Sequence, residues 1–188
     1  MALPNNSSQV NTQSQALKKA VIIAIFAAVS VVLGLIESTL PINLQLPGAK
    51  LGLANIMVLA CLYFLSGKDA FTLIILKTLL TAMILGTFSS FLFSFFGAVF
   101  SFIVMFGLMK LTGKSFSLIG ISILGGVAHN IGQLTAAVLI FQTSKIFYYL
   151  PALLITGILT GVFIGIAVRY LIRSLSKMAL FQPYVPVD

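Results

Sequence analysis

The chain has 188 residues, of which 60% are hydrophobic and 7% charged, with a mean hydropathy of +1.15. A soluble domain carries roughly 25% charged residues, so there is too much apolar surface for one water-bounded core, and lipid has to be the solvent for much of it. The net charge of +8 arises from 11 Lys and Arg against 3 Asp and Glu, and these cations flank apolar runs as membrane topology requires, which argues against a nucleic-acid partner.

Residues 1–17 are polar, uncharged and rich in Asn, Gln and Ser, and they read as a disordered cytoplasmic tail that lacks the basic region of a signal peptide. The first apolar run follows Lys18 and Lys19 and reads as a retained helix. Crossing the hydrocarbon takes about 20 apolar residues. The pattern predicts spans at 20–36, 51–65, 71–86, 89–109, 118–141 and 147–168, within a membrane domain over 18–173 that is followed by a cytoplasmic tail over 174–188. The second and third spans are short, and Gly86, Thr87, Ser89 and Ser90 divide the third weakly from the fourth. The expected fold is therefore an all-α, six-transmembrane-helix bundle.

Basic residues set the expected orientation. With the N-terminus inside, Lys18, Lys19, Lys68, Lys110, Lys114, Arg169, Arg173 and Lys177 fall on the cytoplasmic side, against Lys50 and Lys145 outside. This asymmetry predicts a multi-pass protein of the cell membrane with both termini cytoplasmic. The first outer loop, Glu37 to Lys50, carries Pro41, Pro47 and Gly48 and alternates Ile42, Leu44 and Leu46 with Asn43 and Gln45, the pattern of a short strand or a lid.

Two helices carry small residues at intervals of four, Ala20, Ala24 and Ala28 on the first and Gly157, Gly161 and Gly165 on the last. Such stripes let helix backbones approach closely. The glycines are expected to pack within the bundle and the alanines are candidates for docking a partner's helix.

Ionisable and amide side chains at membrane depth are costly and mark candidate sites. Lys77 lies six residues past the start of its span, about 9 Å inside at 1.5 Å per residue. It either snorkels or faces a polar cavity. His129 and Gln133, at i and i+4, share a helix face, and Asn130 neighbours Gln133 at i+3. Asn55 is a further polar candidate, whereas Ser94 and Ser101 are expected to bond back to their own helix. Cys61 is the only cysteine and His129 the only histidine, which is too few ligands for a metal site.

Catalytic motifs are missing. Gly113-Lys114-Ser115 resembles the end of a phosphate-binding loop, but Gly107 is one residue too far away and the segment follows a membrane helix. The acids Glu37, Asp69 and Asp188 do not cluster in sequence as magnesium-dependent prenyl or phosphoryl chemistry needs. The chain is expected to be neither an enzyme by itself nor dependent on a cofactor.

The stretch Pro47-Gly48-Ala49-Lys50-Leu51-Gly52-Leu53-Ala54-Asn55 resembles the signature of the Gx transporter family, which also goes by the name heptaprenyl diphosphate synthase component I. Ser66 to Ala70, the Gly86-Thr87-Phe88 region and Ala128 to Gln133 resemble it too, and the likeness covers about residues 18–173. Members often have Arg where Lys77 stands; the charge is kept here without the bidentate geometry. The family is similar to the S components of energy-coupling-factor importers. That resemblance implies a six-helix substrate-capture subunit for a small vitamin-like or anionic molecule, with Lys50, Asn55, Lys77, His129, Asn130 and Gln133 lining the site. It implies Ala20, Ala24 and Ala28 as the face for an energy-coupling transmembrane subunit, with separate ATPase subunits as further partners. The alternatives are a non-catalytic membrane subunit of a heptaprenyl or polyprenyl diphosphate synthase, suggested by the family's other name, and a stand-alone facilitator.

Overall fold

In the computed structural model the described residues are 6–39, 51–85, 88–112 and 116–185, with side chains described from residue 13 onward. Six α-helices follow in order: α1 (Asn6–Thr39), α2 (Asn55–Phe64), α3 (Gly67–Leu85), α4 (Phe88–Thr112), α5 (Leu118–Phe141) and α6 (Leu150–Leu175). Short 3-10 turns at Ser144–Tyr149 and Gln182–Tyr184 precede and follow α6. The fold is all-α. Helix α1 begins inside the polar segment 1–17, at Asn6.

The six-transmembrane-helix, S-component-like bundle expected from the sequence needs correction. Among the described residues four stretches are long and apolar enough to cross a membrane: Gln13–Thr39, Phe88–Thr112, Leu118–Phe141 and Ser144–Leu175. Helix α2 has 10 residues, about 15 Å of rise against a hydrocarbon core of about 30 Å. Its sequence NIMVLACLYF is apolar all round, and every residue but Tyr63 is buried, so its solvent is protein rather than lipid. The apolar run read as a second span is a central post, in contact with α1, α3, α4 and α6. Helix α3 is 19 residues long but carries Lys68, Asp69 and Lys77, and its buried face is partly polar, through Lys77, Thr78 and Thr81.

Around α2 the main core gathers Ile22 and Phe26 of α1, Leu73 and Ile74 of α3 and Val168 and Ile172 of α6. A second core, with Phe93, Leu134, Ala137, Ile146 and Leu153, fills the opposite end between α4, α5 and the turn at 144–149. Glycines set the spacing of α4, α5 and α6. A Cβ on Gly132 would lie 2.5 Å from the Phe96 carbonyl oxygen, one on Gly161 2.5 Å from Ile123 Cα, and one on Gly165 2.7 Å from Ile119 Cα; Gly126 abuts the Gly157 carbonyl. The Gly157, Gly161 and Gly165 stripe is thus consumed by α5–α6 packing. Ala20, Ala24 and Ala28 are instead exposed on the outward face of α1.

The segment after α6 folds back over one end of the bundle. Phe181 is 2% exposed and its ring lies 5.8 Å from Phe26 and 5.0 Å from Phe64. Tyr184 Oη donates to the Gln15 carbonyl at 3.3 Å, and Lys19 pairs with Asp69 at 3.7 Å. The start of α1, the start of α3 and the end of the described chain therefore share one end of the molecule.

Candidate functional site

The polar side chains that the sequence places at membrane depth converge where α1, α2, α3 and α5 meet. Lys77 Nζ donates to Asn55 Oδ1 at 2.9 Å, Asn55 Nδ2 lies 2.9 Å from His129 Nδ1, and the Gln133 amide lies 2.9 Å from His129 Nε2. All four residues are at most 5% exposed. Lys77 points inward and does not snorkel.

Each position has a local cause. Asn55 opens α2, so its side chain projects from a helix start toward α3 and α5. His129 and Gln133 lie one turn apart on α5, which lets both imidazole nitrogens find amide partners. Gly97 of α4 makes room, since a Cβ there would lie 2.6 Å from His129 Cε1. Gly52 covers the relay from above with φ of 88°, where a Cβ would lie 3.1 Å from both Asn55 and His129. Position 52 accepts only glycine, for its conformation and for the space.

A lysine ammonium can only donate, so Asn55 turns its oxygen to Lys77 and its NH2 toward His129 Nδ1. On the other side of the ring Gln133 Nε2 lies 2.9 Å from His129 Nε2, so an amide flanks each imidazole nitrogen.

Glu37 was not among the residues singled out from sequence. Near the end of α1 it accepts from Gly52 N–H at 2.6 Å with Oε1 and from Leu53 N–H at 3.0 Å with Oε2, and it is 7% exposed. A carboxylate holding two backbone amides fixes the turn that delivers Asn55, and Asn55 N–H closes the turn on the Gly52 carbonyl at 2.9 Å. The available signal was that Glu37 is one of only three acids in the chain and lies beside an apolar run.

A cavity of about 30 Å³ lies between these groups, walled by Glu37, Gly52, Lys77, Thr81, Ser94 and His129. That is room for a water molecule or two. Ser94 Oγ is buried there and, like Ser101 Oγ, makes no hydrogen bond among the described residues, against the expectation that both bond back to their helix. Asn130 is apart from the relay. Its NH2 donates to the Leu153 carbonyl at 2.6 Å and to Thr156 Oγ1 at 3.3 Å, tying α5 to α6. Lys50, residues 40–50 of the expected lid, Gly86 and Thr87, and Gly113 to Ser115 lie outside the described residues. Among the described residues no three His, Cys, Asp or Glu side chains converge.

A family model described as heptaprenyl diphosphate synthase component I matches residues 26–171. The chain belongs to that family. The match takes in the Gly52–Asn55 turn, Lys77 and the His129–Gln133 pair, so the whole relay sits inside the family region. No curated protein and no solved structure matches the chain. The step from the signature motifs to S components of energy-coupling-factor importers is corrected by this match. The match is to a synthase component, and the helices are four apolar spans around a short buried post. The importer reading falls with it, as do the coupling transmembrane subunit and ATPases expected as partners.

Proposed function

We propose that this chain is a non-catalytic membrane component of a heptaprenyl diphosphate synthase. Membership of the component I family carries the reading. A component numbered one implies at least one other, and the arrangement of the carboxylates among the described residues supports a division in which the other supplies the chemistry. Prenyl transfer uses clustered acids to hold magnesium on diphosphates. Here both Glu37 oxygens bind backbone amides, and Asp69 is held by Ser66 and Lys19. Glu37 and Lys19 are 18 residues apart on one helix, about 27 Å of rise, so the two acids serve opposite ends of α1.

In this reading the bundle is a multi-pass anchor in the cell membrane with both termini cytoplasmic. The excess of Lys and Arg at one set of helix ends supports that orientation, as does the common location of Gln15 and Tyr184. Asn55, Lys77, His129 and Gln133 form its polar site, and the cation there suits an anionic or carbonyl-bearing group. The cavity as built admits only water-sized species, so a larger guest requires the Gly52–Asn55 turn to lift from Glu37.

The test is recovery of the tagged chain from native membranes in mild detergent, with co-purifying proteins identified by mass spectrometry. The expected partner is a protein with paired aspartate-rich motifs that makes polyprenyl diphosphates. Recovery of the chain with no prenyl synthase, under conditions that keep other membrane complexes intact, contradicts the reading.

A further inference from the structure

A second pocket lies at the cytoplasmic-charge end of the bundle, away from the polar relay. It has a volume of about 340 Å³ and is lined by Ile119 at the start of α5 and by Ile166, Arg169, Tyr170 and Arg173 of α6. Ligand pockets begin at roughly this size. The α6 residues form one stripe at i, i+3, i+4 and i+7, so the lining changes from apolar to cationic along about 10 Å of helix. Gly165 sets its inner end by bringing α6 against Ile119, so the groove opens where the two helices diverge.

Three features select the ligand. Two guanidiniums one turn apart match the oxygens of a phosphate or diphosphate, which Arg binds through paired N–H groups. Neither Arg169 nor Arg173 pairs with a carboxylate among the described residues, and Asp69 of the same end is taken by Lys19. Ile119 is also the second residue of α5, so the positive end of a 24-residue helix, capped by Ser117, adds to the field on the same spot. The apolar end then decides between a soluble anion and an amphiphile. Ile166 is 43% exposed and Tyr170 67% exposed toward the lipid side of α6, a surface that a hydrocarbon chain covers and a free phosphate does not.

We propose that the Arg169–Arg173 pocket binds the phosphate head of a membrane lipid, with the lipid's chain laid along Ile119 and Ile166. The proposal stands on the pocket alone. Two sources share this chemistry, a phosphate-headed phospholipid and an isoprenoid diphosphate, and the second would place substrate or product of the proposed synthase at this surface.

The experiment is binding of two probes, short-chain phosphatidylglycerol and farnesyl diphosphate, to the full-length protein in neutral detergent. It compares the wild type, R169Q/R173Q and K18Q/K68Q. The last variant removes the same charge from the same end of the bundle but not from the pocket. Loss of two charge-assisted contacts should weaken the bound probe roughly tenfold or more in R169Q/R173Q and no more than about threefold in K18Q/K68Q. Comparable affinity for both probes identifies a general phosphate-lipid site, and clear preference for farnesyl diphosphate identifies an isoprenoid site; either outcome supports the pocket. Equal losses in the two variants, or no binding of either probe by the wild type, overturns it. A thermal melt of each variant separates lost binding from lost folding.

Discussion

At the scale of single residues, the relay explains why a lysine can be buried in this bundle. A cation at membrane depth costs at least about 2.5–3.5 kcal/mol. The charge-assisted bond to Asn55 Oδ1 offsets part of that, and Asn55 in turn contacts His129. Asn55→Leu removes both bonds of the relay's central amide, so it should destabilise the protein by about 2–4 kcal/mol. Reversible unfolding in mixed micelles measures it, and a loss well under about 1 kcal/mol would contradict the relay's structural weight. Asn55, Lys77, His129 and Gln133 were legible in the sequence because polar atoms are rare in apolar runs. Glu37 was not, since at the edge of a span an acid is indistinguishable from a loop residue until Gly52 and Leu53 are seen to turn back on it.

At the scale of elements, close helix approach and end-sealing dominate. Gly161→Ala should force α5 and α6 apart and cost about 1–3 kcal/mol. Gly107→Ala on α4 meets nothing within 4 Å and should be neutral or stabilising by up to about 1 kcal/mol. Equal effects of the two in a thermal melt would refute the packing assignment. Phe181 closes the end of the main core, so Phe181→Ala should cost about 3–5 kcal/mol although it lies beyond the last helix.

The start of α3 makes a pH prediction. Burial pushes the Asp69 carboxyl up, but the Ser66 hydroxyl at 2.7 Å, the Ser66 N–H at 3.0 Å and the Lys19 ammonium outweigh it, so it titrates below the ordinary carboxylate value. A depressed folded value stabilises above the unfolded value of about 3.9, and the contribution is lost as pH falls through the folded one. Asp69→Asn should therefore lower the melting temperature at pH 7 and narrow its gap from wild type as pH drops below about 4. A gap that stays constant from neutral to acid pH would contradict this.

Helix existence and order were readable from apolar periodicity at this scale, but the role of 51–65 was not. Ten apolar residues buried by protein and ten buried by lipid have the same composition, and only the turn at Gly52–Asn55 shortens α2 to a post. The sequence assigned the glycine stripe to packing within the bundle and the alanine stripe to an outward face, and the helices divide them that way. Gly126 and Ile123 of α5 claim the glycines, whereas the outward face of α1 leaves the alanines exposed.

For the whole molecule, the composition already separated membrane from water, and the long apolar helices agree with a multi-pass membrane protein. The wrong step was functional. Polar groups converging in a membrane bundle suit substrate capture as well as structural support, and motif likeness alone suggested an importer. The family match corrects that step: the chain belongs to the heptaprenyl diphosphate synthase component I family, and our proposal is that the chemistry resides in a partner. The most direct measurement is prenyl chain elongation, with labelled isopentenyl diphosphate, an allylic primer and magnesium supplied to the purified chain, to its co-purified partner and to the two recombined. The account predicts no product from the chain alone and a change in the yield or length of the partner's product when the chain is restored. Product from the chain alone, or a partner indifferent to its presence, would contradict it.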